Sequence, residues 1–168
     1  IAKVLDWKDI LSEKGAWDAM FWMGGLVALA TALAKSGFIA WIAKLIGTAV
    51  AAANMGWIAS FVLISLIYIY SHYCFASVTA RISAMYAAFV AVAAACGVPA
   101  MLVAITFGCF ANLPISLTHY GNGCGPVYFG AGYVSQGEWW RNGFIITTIN
   151  VVIWLTIGMA WWKFIGLY

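Results

Sequence analysis

The chain has 168 residues, of which 65 % are hydrophobic and 8 % are charged, and its formal net charge is +3. Because a soluble domain carries roughly 25 % charged residues, this composition excludes a water-soluble domain and predicts an all-α polytopic protein embedded in a lipid bilayer. The basic residues are scattered rather than clustered, which excludes a nucleic-acid-binding surface. The chain begins with Ile1 rather than methionine, and we expect it to be a fragment of a longer protein.

The apolar segments of the chain predict membrane-spanning or interfacial helices separated by short polar breaks. Their order is residues 17–34, 38–53, 57–75, 82–96, 101–112 and 144–163. Residues 1–16 mix charges of both signs with Trp7, and they predict an interfacial lead-in before a transmembrane region at 17–168. Trp41 and Lys44 interrupt the second segment, which therefore either crosses the bilayer or lies along its surface.

A short polar stretch at residues 76–81 separates two apolar arms. The second arm, 82–96, reaches roughly 22 Å at 1.5 Å per residue, which is less than the roughly 30 Å of a bilayer core. This length predicts a re-entrant helical hairpin whose tip lies inside the membrane. The hydroxyls of Ser77 and Thr79 and the amides at the start of the second arm would then attract an anion. The alternative is an ordinary loop in which these side chains cap a helix.

Arg81 is the one formally charged residue between Leu45 and Gly137. An isolated cation inside a membrane is costly, and it is by default a candidate functional residue. The alternative is that Arg81 lies in a water-exposed loop or extends its charged end to the membrane surface.

Residues 113–126 interrupt the helical pattern with two prolines and three glycines, although no charge appears before Glu138. A backbone break at membrane depth is tolerated only where it is buried in protein or lines a polar cavity. We therefore predict a broken transmembrane helix with Thr118 and His119 as candidate binding residues, since interrupted helices mark the binding sites of transporters. The alternative for this segment is a long loop outside the membrane. The alternative for the protein is a scaffold subunit that transports nothing, and such a subunit would have continuous helices.

Enzyme chemistry finds little support in the sequence. No acidic residue lies between Asp18 and Glu138, so a Ser–His–Asp arrangement is missing there, and no P-loop or H-E-x-x-H motif occurs. The four cysteines lack the paired spacing of a zinc site. We expect no enzyme, cofactor or metal centre, and we interpret His72 as a packing or interfacial residue.

Two stretches carry a family resemblance. The stretch Phe75–Tyr86, with Ser77-Val78-Thr79 inside it, resembles the carboxyl-terminal Ser-x-Thr signature of the divalent anion:sodium symporter (DASS) family. Residues 117–134 are similar to the branch that holds bacterial citrate/succinate exchangers and plastid 2-oxoglutarate/malate translocators. The resemblance covers nearly the whole chain.

This resemblance implies a fold and a function. The chain would be the carboxyl-terminal member of two inverted repeats in a homodimeric carrier, and it would contribute half of a binding site for 2-oxoglutarate, malate, succinate or citrate. Ser77, Val78 and Thr79 would contact a substrate carboxylate from the hairpin tip, and Thr118 and His119 would do so from the broken helix. The membrane would be a bacterial inner membrane, or alternatively the plastid inner envelope.

Two departures from the family pattern bear on the coupling ion. Val78 stands where sodium-coupled members commonly have Asn, and Thr118-His119-Tyr120 stands where they often have Thr-Pro-Pro. Both changes argue against the second sodium site of the family. We expect Arg81 or a protonated His119 to offset the substrate charge instead, which favours anion exchange, with a sodium-coupled dicarboxylate symporter as the alternative.

Overall fold

The computed structural model describes residues 6–168, without the side chains of residues 19, 22, 23, 26, 27, 30, 34 and 51. Residues 1–5 of the predicted lead-in lie outside this part. All regular structure in residues 6–168 is helical. The α-helices in chain order are α1 (Trp7–Ser12), α2 (Lys14–Lys35), α3 (Phe38–Ala52), α4 (Trp57–Tyr70), α5 (Val78–Ala95), α6 (Ala100–Phe110), α7 (Gly125–Gly130), α8 (Gln136–Ile153) and α9 (Met159–Phe164).

Shorter helical turns extend some of these helices. A 3-10 turn, Ser71–Cys74, follows α4, and a second one, Leu113–Ser116, follows α6. A π-helical turn, Trp154–Gly158, joins α8 to α9 without a break. Among the described residues, three helices are long and apolar enough to cross a membrane: Trp57–Cys74, α5, and the continuous helix Gln136–Phe164. These helices confirm the predicted class of all-α membrane protein, whereas the inverted repeat and the re-entrant hairpin stay predictions.

The buried core lies between α4, α5 and α6, which pack against one another. The ring of Tyr68 in α4 stacks on that of Phe107 in α6 at a centroid distance of 4.6 Å and an interplanar angle of 9°. The fully buried apolar side chains of this core are Phe61, Ile64, Tyr68, Ile69, Phe89, Leu102, Val103, Phe107 and Phe110. This core brings the end of α4, the start of α5 and the end of α6 to one place.

Helix α3 is the segment for which the sequence allowed two alternatives, crossing the bilayer or lying along its surface. One face of α3 packs on α5. Ile39, Ala43 and Val50 are buried on this face, and Gly47 lies against the side chain of Val92. The packing shows that α3 belongs to the helix bundle.

Two helices begin earlier than the sequence predicted. α5 starts at Val78 rather than at Ile82 and has 18 residues, or roughly 27 Å of length. This length makes α5 a candidate membrane span. The predicted start and length of the arm were wrong, because the hydroxyl of Ser77 caps the helix one turn earlier. The last span begins at Gln136 rather than at residue 144, because Ser135 and Glu138 form a reciprocal capping box there.

The broken segment packs closely against α8 through a glycine. A Cβ atom on Gly143 would overlap the carbonyl group of Ser116 and approach the Cα atom of Leu117. Both neighbours are backbone, so neither can rotate away. The position of the break is therefore set by direct backbone contact with the last long helix.

We expect Gly143→Ala to lower the free energy of unfolding by about 1–3 kcal/mol, because the added methyl forces backbone apart. Gly137→Ala in the same helix is the matched control, since its Cβ would meet no described atom within 4 Å, and Ala is the better helix former by up to about 1 kcal/mol. Thermal unfolding of the full-length protein in detergent measures both. Equal midpoints for the two variants would contradict the close contact.

Candidate functional site

The first break in the helical pattern lies between the 3-10 turn Ser71–Cys74 and α5. Phe75 has extended backbone, and Ser77 caps α5 by accepting a hydrogen bond from the Ala80 amide at 3.4 Å. The first amides of a helix have no partner within it, and they carry the positive end of the helix dipole. Ser77 and Val78 are half-buried and Thr79 is exposed, so this tip combines hydroxyls and amides that are suited to an anion.

The second break runs from the 3-10 turn Leu113–Ser116 to α7, with irregular backbone between them. Asn122 holds it together. Its Oδ1 accepts hydrogen bonds from the amides of Cys124 (2.9 Å) and Gly125 (2.7 Å), and its Nδ2 donates to the carbonyl of Ile115 at 3.0 Å. The side chain of Asn122 thus replaces helical hydrogen bonds that are missing in this break.

The structure brings the two breaks together. Tyr120, in the second break, donates a hydrogen bond from its hydroxyl to the carbonyl of Tyr73 in the first, at 2.9 Å. Gly121 lies against the side chain of His72. The predicted tip and the predicted broken helix therefore border one region.

Arg81 joins the same helix ends from inside. Its guanidinium is fully buried and donates to the carbonyls of Tyr68 (2.9 Å), Phe110 (3.3 Å) and Ala111 (2.6 Å). It also lies over the Tyr68 ring at 4.6 Å. These carbonyls belong to the last turns of α4 and α6, where a cation is favoured by the negative end of the helix dipole. Arg81 thus lies in the first turn of α5, not in an exposed loop, and caps two other helices.

His119 lies in an aromatic surrounding and is partly buried. Its ring stacks on Phe129 at 4.3 Å, and its Nδ1 accepts a hydrogen bond from the indole Nε1 of Trp140 at 3.2 Å. A nitrogen that accepts a hydrogen bond carries no proton. The imidazole is therefore neutral in this arrangement, and Arg81 is the fixed charge beside the two breaks.

Fully buried polar atoms without a partner among the described residues lie here on His72 and Thr118, and the Nε atom of Arg81 is unpaired there as well. The two ring nitrogens of His72 have no hydrogen-bond partner within residues 6–168, and the hydroxyl of Thr118 has none there either. The sequence predicted Thr118 as a binding residue, whereas it indicated only a packing or interfacial role for His72. The signal that would have found it is its position five residues before Ser77, on the helix that leads into the tip.

We expect Arg81→Met to lower the free energy of unfolding by about 2–5 kcal/mol, because it leaves the buried carbonyls of Phe110 and Ala111 at the end of α6 without their donor. Arg141→Met removes an exposed arginine from α8, and we expect it to change stability by no more than about 0.5 kcal/mol. Thermal unfolding of the full-length protein in detergent compares the two. A similar small effect of both variants would show that the buried hydrogen bonds of Arg81 contribute little.

Apolar helices that are interrupted where polar groups converge are the architecture of secondary transporters. A family model described as the sodium:sulfate symporter transmembrane region matches residues 1–168. The chain belongs to this family, and it is an integral membrane protein. The match confirms the resemblance drawn from Ser77-Val78-Thr79 and residues 117–134.

Curated relatives match along nearly the whole chain. Dicarboxylate transporter 1, chloroplastic, of Spinacia oleracea is 45 % identical over 168 residues, which are 100 % of this chain and 30 % of that protein. YflS of Bacillus subtilis, whose name proposes a malate transporter, is 45 % identical over 168 residues, again 100 % of this chain and 35 % of the relative. Inner membrane protein YbhI of Escherichia coli is 35 % identical over 160 residues, 95 % of this chain and 33 % of its own length.

The chain therefore spans about a third of the length of these relatives. The names of the family and of the spinach relative are those of transporters. They agree with the expectation that the protein is not an enzyme.

Proposed function

We propose that the protein containing this chain carries a small dicarboxylate, such as 2-oxoglutarate or malate, across a membrane. The observation that carries the proposal is the contact between the second break and the 3-10 turn that leads into the tip, through Tyr120 with Tyr73 and Gly121 with His72. The name of the spinach relative supports a dicarboxylate as the substrate class. Succinate and citrate belong to the same chemical class, and the rest of the longer protein would complete the site.

The proposed binding residues are Ser77, Val78, Thr79, Thr118 and His119. Ser77 and Thr79 offer hydroxyls beside the amino terminus of α5, where an anion is favoured by free amides and by the helix dipole. Hydrogen bonds from such donors to a carboxylate are charge-assisted and strong. Val78 would contribute its amide and an apolar contact rather than a polar side chain.

We propose that the carrier works by anion exchange and needs neither a cofactor nor a sodium ion. The buried guanidinium of Arg81 contacts carbonyl oxygens, and no acidic residue lies between Asp18 and Glu138 to neutralise it. An empty carrier would thus bury a cation without a counter-ion during its return step, which is costly. Binding a second dianion removes this cost and makes the return step depend on substrate. Charge compensation by His119 would require its hydrogen bond from Trp140 to break.

The second candidate function is a sodium-coupled dicarboxylate symporter. The family description, which names a sodium symporter, favours it. Both candidates share this fold and differ in the coupling ion. Homodimer formation, and a bacterial inner membrane or alternatively the plastid inner envelope as the location, are further parts of the proposal.

Transport by the full-length protein in proteoliposomes tests the proposal. We expect labelled 2-oxoglutarate to enter vesicles preloaded with malate and not to enter empty vesicles, with or without sodium. Sodium-dependent uptake into empty vesicles would establish the symporter instead. Uptake under neither condition, by protein that is folded, would contradict dicarboxylate transport.

A pair of serine variants tests the tip. Ser77 and Ser135 both cap helices by accepting from an amide at 3.4 Å, so Ser77→Ala and Ser135→Ala should each cost about 1 kcal/mol of stability. We expect Ser77→Ala alone to weaken malate binding, by roughly 10-fold, because it also removes a donor to the carboxylate. Binding of labelled malate to full-length protein in nanodiscs measures this. Equal affinity in both variants would limit Ser77 to capping.

A further inference from the structure

His72 is a polar residue at the meeting point of the two breaks that the site proposed above does not use. Its side chain is 0 % exposed, and neither nitrogen has a partner in the described part of the chain. A buried polar group without a hydrogen bond is costly. An imidazole that is fully buried with both nitrogens unpaired therefore indicates a partner that comes from elsewhere.

Thr118 supplies a second, independent observation. It is also 0 % exposed, and its Oγ1 is unpaired within residues 6–168. A Cβ atom built on Gly121 would overlap His72 Nε2 and would lie 2.7 Å from Thr118 Oγ1. The two polar atoms thus both lie against Gly121, and they come from different segments of the chain.

We propose that His72 Nε2 and Thr118 Oγ1 together bind one carboxylate oxygen of the transported dianion. This inference rests on the proposed function. A carboxylate oxygen accepts two hydrogen bonds, and a neutral imidazole and a hydroxyl each have one to donate. Arg81, which bonds the carbonyl of Tyr68 one turn before His72, adds a favourable positive potential.

Gly121 has a defined part in this arrangement. Any side chain at this position would overlap the imidazole of His72 and crowd the hydroxyl of Thr118. The hydrogen bond from Tyr120 to the carbonyl of Tyr73 holds the two breaks at this separation. The pair of donors therefore forms only when both breaks are in place, which couples substrate binding to their alignment.

The experiment compares two ligands that differ by one carboxylate. Succinate and butyrate have the same number of carbon atoms, and each competes with labelled malate for full-length protein in nanodiscs. We expect His72→Leu and Thr118→Val each to lower the affinity for succinate by roughly 10- to 100-fold, which corresponds to the loss of one hydrogen bond to a charged group. The affinity for butyrate should change much less, because its single carboxylate can still bind at the tip. The ratio of succinate to butyrate affinity should therefore fall in both variants, whereas His72→Gln, which keeps a donor, should preserve part of it.

Thr147→Val is the matched control, since Thr147 in α8 is also 0 % exposed with an unpaired hydroxyl among the described residues. It should keep the ligand ratio of the unaltered protein. An unaltered ratio in His72→Leu and Thr118→Val would overturn the inference and assign their partner to water or to another part of the protein. If His72→Leu does not fold, the isosteric Thr118→Val decides. If the unaltered protein binds malate and succinate not at all, the proposed function itself fails.

Discussion

The arrangement of helix ends in this structure depends on one buried guanidinium. Helix ends leave carbonyl groups without partners, and in an apolar surrounding each such group must be satisfied by protein. Arg81 satisfies carbonyls at the ends of α4 and α6 from a position in the first turn of α5. Because Ser77 caps the same helix, the position of the tip follows from the position of the arginine. Arg81, which the sequence marks as a candidate functional residue, thus also fixes the helix ends that border the proposed site.

The second break is stabilised by uncharged groups. Asn122 replaces the missing backbone hydrogen bonds, and glycines let backbone approach backbone, as where Gly143 meets Ser116. An uncharged break can remain in an apolar environment because its polar groups are paired internally. Thr118 is the exception in this break, because its hydroxyl, like the ring nitrogens of His72, has no partner among the described residues. Between Leu45 and Gly137 the formal charge is concentrated in Arg81, which is the residue that the proposed exchange mechanism uses.

Much of this architecture could be predicted from residue types. The apolar segments predicted the helices, and the prolines and glycines of residues 113–126 predicted the break that the structure contains. The start of α5 was misplaced by four residues, because Val78-Thr79-Ala80-Arg81 looks polar enough for a loop until the capping role of Ser77 is known. His72 was left to packing because its neighbours in the sequence are aromatic. Its polar neighbour Thr118 is distant in the chain.

The sequence by itself determined the class of protein. A composition with one charge between Leu45 and Gly137 can be stable only in a bilayer, where helices must satisfy their own backbone, so helices and breaks are readable from local patterns. Only the tertiary structure decided which polar groups face one another. Arg81 meets carbonyls 29 and 30 residues away, and His72 meets Gly121 across the two breaks. Such pairings follow from the packing of α4, α5 and α6 around a shared core, and no local pattern contains that information.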